Sequence, residues 1–246
     1  MKEDGMSKRG ARILVVDDEI EIVRALRRGL LTQDYQVVTA QSGEEALSSL
    51  FEQRPDLVLL DLALPALSGI EVCQRIRKTS NIPVIVISAK DTEREKVQAL
   101  ELGADDYITK PFGMKEVVAR IRVALRHVAQ SQSGTSPLLR LGPLQIDFAA
   151  RRVQVNNKEI QLTVIEYDLL KLFVTERGKV LTRQMILDRI WGAEALNRGH
   201  SLHVHVAQLR RKLEVGPDHP RFIFTILGIG YRFNDPEDEA ANEGRE

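Results

Sequence analysis

Three acidic residues, Asp17, Asp18 and Glu19, follow directly on the apolar run "RILVV". A fourth acid, Asp61, closes "DLVLLD", Ser88 closes "PVIVIS", and Lys110 follows "DYIT". If those runs are strands of one parallel sheet, all of these side chains reach the edge at which open α/β sheets bind their ligands. Three converging carboxylates repel unless a cation lies among them. Hard oxygen donors suit a divalent ion, and Mg²⁺ is the usual choice where phosphate oxygens share the coordination. A carboxylate beside such an ion can attack a phosphoryl group and form an aspartyl phosphate. Asp61, at a rigid strand end, is the candidate nucleophile. Lys110 can neutralise one phosphoryl oxygen as a point charge, and Ser88 can donate a hydrogen bond to another. The competing account of "DDE", acids that complement a helix amino terminus, suits Glu19 best.

The elements that must hold these groups are legible between residues 11 and 127. Short β-rich runs ("RILVV", "QVVTA", "DLVLLD", "PVIVIS", "DYIT") alternate with helical periods near 20–31, 43–53, 69–78, 92–102 and 114–127. Five strand–helix units predict an α/β fold, a doubly wound five-stranded parallel sheet. Nearly uninterrupted apolar strands suit a sheet covered on both faces. Ser42 with Glu45 reads as a capping box, and Gly103 sits just past a helix end.

With 246 residues, 43% of them hydrophobic, the chain suits two ordinary cores better than one large one. No apolar run approaches the roughly 20 residues that span a bilayer. The opening "MKEDGMSKRG" lacks a signal-peptide core, so a soluble cytoplasmic protein without membrane partners is expected. The single Cys73 reads as a small buried hydrophobe rather than a nucleophile. A net charge of zero hides an asymmetry. Residues 1–127 carry 19 basic and 20 acidic side chains, whereas residues 138–234 carry 15 and 9, a balance of +6. Between these halves lies a linker over 128–137, most of it "AQSQSGTSP", with nothing to pack. The closing stretch 235–246, "DPEDEAANEGRE", is an acidic tail that reads as solvated.

The motifs "VVDDE", "LLDLALP", "VIVISAK" and "GADDYITKPF" resemble the receiver domain of two-component response regulators through essentially all of 11–127. The resemblance implies the CheY-like fold with strand order 2-1-3-4-5. It makes Asp61 the phosphoacceptor, Asp18 and Asp61 direct Mg²⁺ ligands, Asp17 the holder of a metal-bound water, and the Ala63 carbonyl a further ligand. Ser88 and Tyr107 become a switch pair, with Tyr107 expected to be buried on phosphorylation. Lys110 becomes the phosphate-sensing lysine, before a cis bond to Pro111. The family dimerises its active receivers through charge pairs. The corresponding surface here carries Lys96, Asp105, Asp106, Glu116, Arg120, Arg122 and Arg126, with Lys96–Glu116 and Asp106–Arg120 expected across a two-fold axis.

Residues 138–234 open with alternating apolar and polar residues around a hairpin signal, "NNK" at 156–158. Helical stretches follow at 164–174, 183–190 and about 201–214, and "RFIFTILGIGYRF" closes the segment as a hairpin. This order describes a winged helix-turn-helix. In the third helix Leu202, Val206, Leu209 and Leu213 form one buried stripe. Ser201, Val204, His205, Gln208 and Arg211 are then expected on an outward face, flanked by Arg210 and Lys212. Such a face suits the major groove, where Gln pairs adenine, Arg pairs guanine and Val touches a thymine methyl. His200, His203 and His205 do not share a helical face, which argues against a metal cluster. "LTVIEYDLLKLF", "GKVLTRQMILDRIWG", "VAQLRRKLE" and "GIGYRF" resemble the effector domain of the OmpR/PhoB family. Leu227 stands before Gly228 where members often carry arginine, so minor-groove insertion by an arginine is not expected there.

Together these readings predict a transcriptional response regulator, phosphorylated on Asp61 by a sensor histidine kinase. It would dimerise through its receiver, bind direct-repeat promoter DNA and act on RNA polymerase. "KPFGMKEVVARIRVALRH" and "HPRFIFTILGIGYRF" resemble Kdp-type regulators of potassium uptake. Two rivals use the same residues: a Mg²⁺-dependent aspartyl-phosphate phosphotransferase or phosphatase, and a DNA-binding protein whose receiver only dimerises. The first needs a second proton-transferring group beside the nucleophile, and Leu62 and Ala63 supply none.

Overall fold

The computed structural model describes residues 10–89, 92–129, 138–192, 201–214 and 221–234. Most of the expected linker, His200 and the acidic tail lie outside them. The chain divides into two compact units, Met1–Arg122 and Val123–Glu246.

The first unit is built on β1 (Arg12–Val16), β2 (Gln36–Ala40), β3 (Leu57–Asp61), β4 (Val84–Ser88) and β5 (Asp106–Thr109). They are parallel, in the order β2-β1-β3-β4-β5. Helices α1 (Ile20–Leu31), α2 (Gly43–Gln53), α3 (Gly69–Thr79) and α4 (Glu93–Glu101) connect them, and α5 (Met114–Ala129) follows β5. β3 and β4 are buried at every position, as central strands covered on both faces must be. The strand order reverses between β1 and β3, and a crevice opens at their carboxyl ends. Val16 is paired with Leu60, so Asp17 and Asp61 leave the sheet side by side. Thr109 is paired with Ser88, so Lys110 leaves beside them.

The helix ends follow from their sequences, with one difference. Ser42 Oγ accepts the Glu45 N–H at 3.2 Å, but the Glu45 carboxylate turns to the Gln41 N–H at 2.8 Å, so the expected box is half formed. Complete capping boxes stand instead at Ser68/Glu71 and Thr163/Glu166. Gly69 begins α3 where an added Cβ would fall 2.0 Å from the Asp61 carbonyl oxygen; no larger residue lets α3 start so close to β3. The Lys110–Pro111 bond is cis.

Cys73 is buried on α3, as expected, and burial pushes its thiol pKa up to about 11. The thiolate is the reactive form, so at pH 8 the native protein should resist iodoacetamide while the urea-unfolded chain reacts fully. Mass spectrometry checks this, and stoichiometric modification of the native protein would contradict it.

The second unit begins with an antiparallel sheet of β6 (Leu138–Leu141), β7 (Leu144–Asp147), β8 (Arg152–Val155) and β9 (Lys158–Ile160). Asn156 and Asn157 both take positive φ in the β8–β9 turn, as a two-residue hairpin requires. Helices α6 (Val164–Thr175), α7 (Arg183–Trp191) and α8 (Ser201–Leu213) follow, then β11 (Ile223–Ile226) and β12 (Gly230–Phe233). The closing hairpin gains a strand not expected from sequence, β10 (Val180–Thr182), which pairs with β12. Its three residues are too short to show a period, and Gly230 lets Leu181 approach: a Cβ there would lie 2.0 Å from the Leu181 carbonyl oxygen. Leu202, Val206, Leu209 and Leu213 are buried as one stripe with Phe173, Phe222 and Phe233.

Candidate functional site

The crevice at the β1/β3 switch point holds Asp17, Glu19, Asp61 and Lys110. One carboxylate oxygen from each of the three acids lies within 4.8 Å of the others. Lys110 Nζ sits among them, 2.7 Å from Asp61 Oδ2, 2.9 Å from Asp17 Oδ2 and 2.9 Å from Glu19 Oε1. Asp17 and Asp61 are buried, with side chains 2% and 3% exposed. Their remaining oxygens accept backbone N–H groups: Asp17 Oδ1 that of Glu19 at 2.9 Å, and Asp61 Oδ1 that of Ala63 at 3.0 Å. Each buried carboxylate is thus held at both oxygens.

Burial raises the Asp17 pKa, opposed by hydrogen bonds from Lys110 and the Glu19 N–H. For Lys110, burial works against the charged form, but hydrogen bonds to Asp61, Asp17 and Glu19 outweigh it and hold its pKa above the ordinary lysine value. The ammonium therefore stays charged throughout the neutral range. Ser88 is buried at the end of β4, and its carbonyl accepts the Lys110 N–H at 2.7 Å, which locks the β4 and β5 ends together.

Asp18, expected as a direct ligand, is exposed and outside the carboxylate group; Glu19, read as a helix-dipole acid, faces Lys110 instead. Glu19 does occupy the N-cap of α1, but its side chain makes no cap hydrogen bond. What the structure shows for Ala63 is its N–H on Asp61, and Tyr107 is already buried at 7% exposure.

The charged surface expected at a dimer interface is largely consumed within the chain. Asp105 is buried: its Oδ2 accepts from Arg77 Nη2 at 2.7 Å and from the Val84 N–H at 2.9 Å. It is a structural anchor and not a surface contact. Arg120 is 9% exposed and bonds Asp106 and Glu116 of its own chain, each at 2.6 Å. Lys96 is half-buried.

On α8 the expected outward face is corrected. Val204, His205 and Gln208 are 3%, 2% and 6% exposed, and the His205 ring lies 5.7 Å from that of Trp191. Counting offsets finds the most apolar arc of a helix, but residues from outside the helix, Trp191 among them, cover part of the rest. The exposed stripe is His203, Ala207 and Arg211. The Ser201 side chain lies outside the described residues. Arg210 serves the fold, donating to the Ile223 carbonyl at 2.8 Å and to Thr225 Oγ1 at 2.8 Å, and Lys212 pairs with Glu166 at 2.6 Å. At the hairpin tip, Leu227 is 88% exposed beside Gly228, whose φ is +72°.

Residues 13–122 match the model of the response regulator receiver domain, and residues 157–233 that of the C-terminal domain of transcriptional regulatory proteins. Over 221 residues the chain is 44% identical to the transcriptional regulatory protein KdpE of Mycobacterium tuberculosis, covering 90% of this chain and 98% of the relative. It is 41% identical to the KDP operon transcriptional regulatory protein KdpE of Escherichia coli, with the same coverage. Among solved structures, a cysteine-to-serine mutant of RitR aligns over 91% of this chain and 99% of its own, with a TM-score of 0.76 and 28% identity. Among the described residues, no helix is long and apolar enough to cross a membrane.

Proposed function

Because the chain belongs to the OmpR/PhoB family of two-component response regulators, we propose that Asp61 accepts a phosphoryl group from a sensor histidine kinase and that this controls DNA binding. The observation that carries the reading is the Lys110 ammonium 2.7 Å from an Asp61 carboxylate fixed at the end of β3. In this reading they are the nucleophile and the cation that would stabilise the incoming phosphoryl oxygens. Clustered carboxylate oxygens are the donor set that Mg²⁺ prefers, so Asp17 and Asp61, with Asp18 supplying further oxygen, would hold the ion. When bound, it would neutralise the phosphoryl charge. Leu62 and Ala63 offer no proton-transferring group next to Asp61, which favours a long-lived signal over turnover. The relatives that match over 90% of this chain bear the names of transcriptional regulatory proteins, which favours regulation over turnover.

The second unit would carry the signal to promoter DNA and RNA polymerase, with Arg211 and His203 on the exposed side of α8 and Leu227 at the hairpin tip. The residues near 128–137 would act as a linker, allowing two effector domains to bind in tandem. Dimerisation would exchange the in-chain pairs of Arg120 with Asp106 and Glu116 for pairs between copies. The potassium-uptake role of the Kdp-type relatives is the reading we adopt for the regulated genes.

Selection from random duplex DNA, with and without acetyl phosphate and Mg²⁺, tests the function. The phosphorylated protein should sediment as a dimer and enrich direct repeats with half-sites about one helical turn apart. Equal enrichment by unphosphorylated protein would contradict phosphorylation control.

A further inference from the structure

Lys110 meets three carboxylates that differ in exposure. Its ammonium has three N–H donors, and Asp61, Asp17 and Glu19 take them at 2.7, 2.9 and 2.9 Å. Asp17 and Asp61 are almost fully buried, whereas the Glu19 side chain is 61% exposed. Glu19's part in holding Asp17 comes from its backbone N–H, so its carboxylate is free of other structural duty there. A phosphoryl group on Asp61 brings new oxygens that need a cation, yet Lys110 has no donor to spare until it drops a partner. Releasing Asp17 would strand a buried charge, which is costly. Releasing Glu19 returns a carboxylate to water, and exposed pairs of this kind are weak.

We propose that Glu19 is a positioning residue acting through Lys110, a latch on the solvent side that holds the ammonium in the unphosphorylated receiver and yields to the phosphoryl oxygen. The proposal rests on Asp61 being the phosphoacceptor. In that step an Asp61 oxygen forms the new O–P bond while the O–P bond of the donor breaks, and the leaving acetate of acetyl phosphate carries away the electron pair. No proton is exchanged, so the charge around Lys110 decides how easily the phosphoryl group is received. Removing the Glu19 carboxylate frees one N–H for the incoming oxygen and takes one negative charge from the mouth of the site. Since the Glu19 side chain makes no cap hydrogen bond, its truncation leaves the start of α1 without a lost partner.

The test compares initial rates of labelling by acetyl phosphate in the full-length protein across a Mg²⁺ titration. Glu19→Ala and Glu19→Gln should both label about two- to fivefold faster than wild type at saturating Mg²⁺, the range that a weak exposed ion pair supports. The Mg²⁺ concentration at half-maximal rate should not change. Glu21→Ala removes the same charge from an exposed position on α1 that pairs with Arg24 at 3.0 Å, and it should label like wild type. Slower or unchanged labelling of the Glu19 variants overturns the latch. A raised Mg²⁺ requirement assigns Glu19 to the metal and also overturns it, as does equal acceleration by Glu21→Ala. Wild-type protein that takes no label would remove the phosphoacceptor reading itself, whereas labelled wild type with indifferent variants removes the latch alone.

Discussion

Asp61→Asn protein should take no label from acetyl phosphate and Mg²⁺, while its receiver stays folded. The carboxylate that attacks phosphorus must bring an unshared, negatively charged oxygen, and the amide has none to offer. The fold survives because the Asp61 backbone sits within β3, paired on one side with β4, and because an amide oxygen can still accept the Ala63 N–H that Asp61 Oδ1 accepts at 3.0 Å. Circular dichroism and thermal unfolding verify the fold, and radiolabel or phosphate-affinity electrophoresis measures the acceptor. Undiminished labelling would move the chemistry to another carboxylate, with Asp17 the nearest candidate, and would undo the assignment of the site.

The second large effect concerns stability, at a residue that sequence comparison would send to the surface. Asp105 lies just before β5 and is 1% exposed. Its Oδ2 holds Arg77 Nη2 at 2.7 Å and the Val84 N–H at 2.9 Å. Arg77 in turn donates to the Gly103 carbonyl at 2.7 Å and to the Ile82 carbonyl at 2.6 Å. One ion pair thus ties the end of α3, the start of β4 and the approach to β5. Asp105→Ala leaves a largely buried guanidinium and a strand N–H without this acceptor. Breaking a buried pair from one side costs about 3–5 kcal/mol, against a total of roughly 5–15 kcal/mol for an ordinary domain. Urea unfolding followed by circular dichroism should show that loss in the first unit. A change below about 1 kcal/mol, the range of exposed pairs, would place Asp105 among ordinary surface charges.

What could be read from the chain and what could not divide along physical lines. Alternating runs such as "DLVLLD" and the helical period that follows are local properties, since burial on both faces demands continuous apolar strands and packing on one face demands a stripe. Once the strands are parallel, their carboxyl ends share one edge, so Asp17, Asp61, Ser88 and Lys110 had to meet there whatever the loops did. The family motifs and the two-part architecture were legible for the same reason: they are contiguous.

Only the tertiary structure decided which neighbours each charge would choose. Beyond a strand end, side-chain direction depends on the turn, and that turn aims Glu19 rather than Asp18 at Lys110. Arg77 and Asp105 are 28 residues apart, and Arg120 and Asp106 are 14 apart; nothing local marks either as a pair within one chain, and the family resemblance placed the Asp106–Arg120 pair between copies. Likewise, His205 of α8 is covered by Trp191 from outside the helix, which the helix's own periodicity does not report. Periodicity reports how a segment treats water and a core in general, whereas ion pairs and the uncovered side of a helix depend on residues brought close only when the chain has folded.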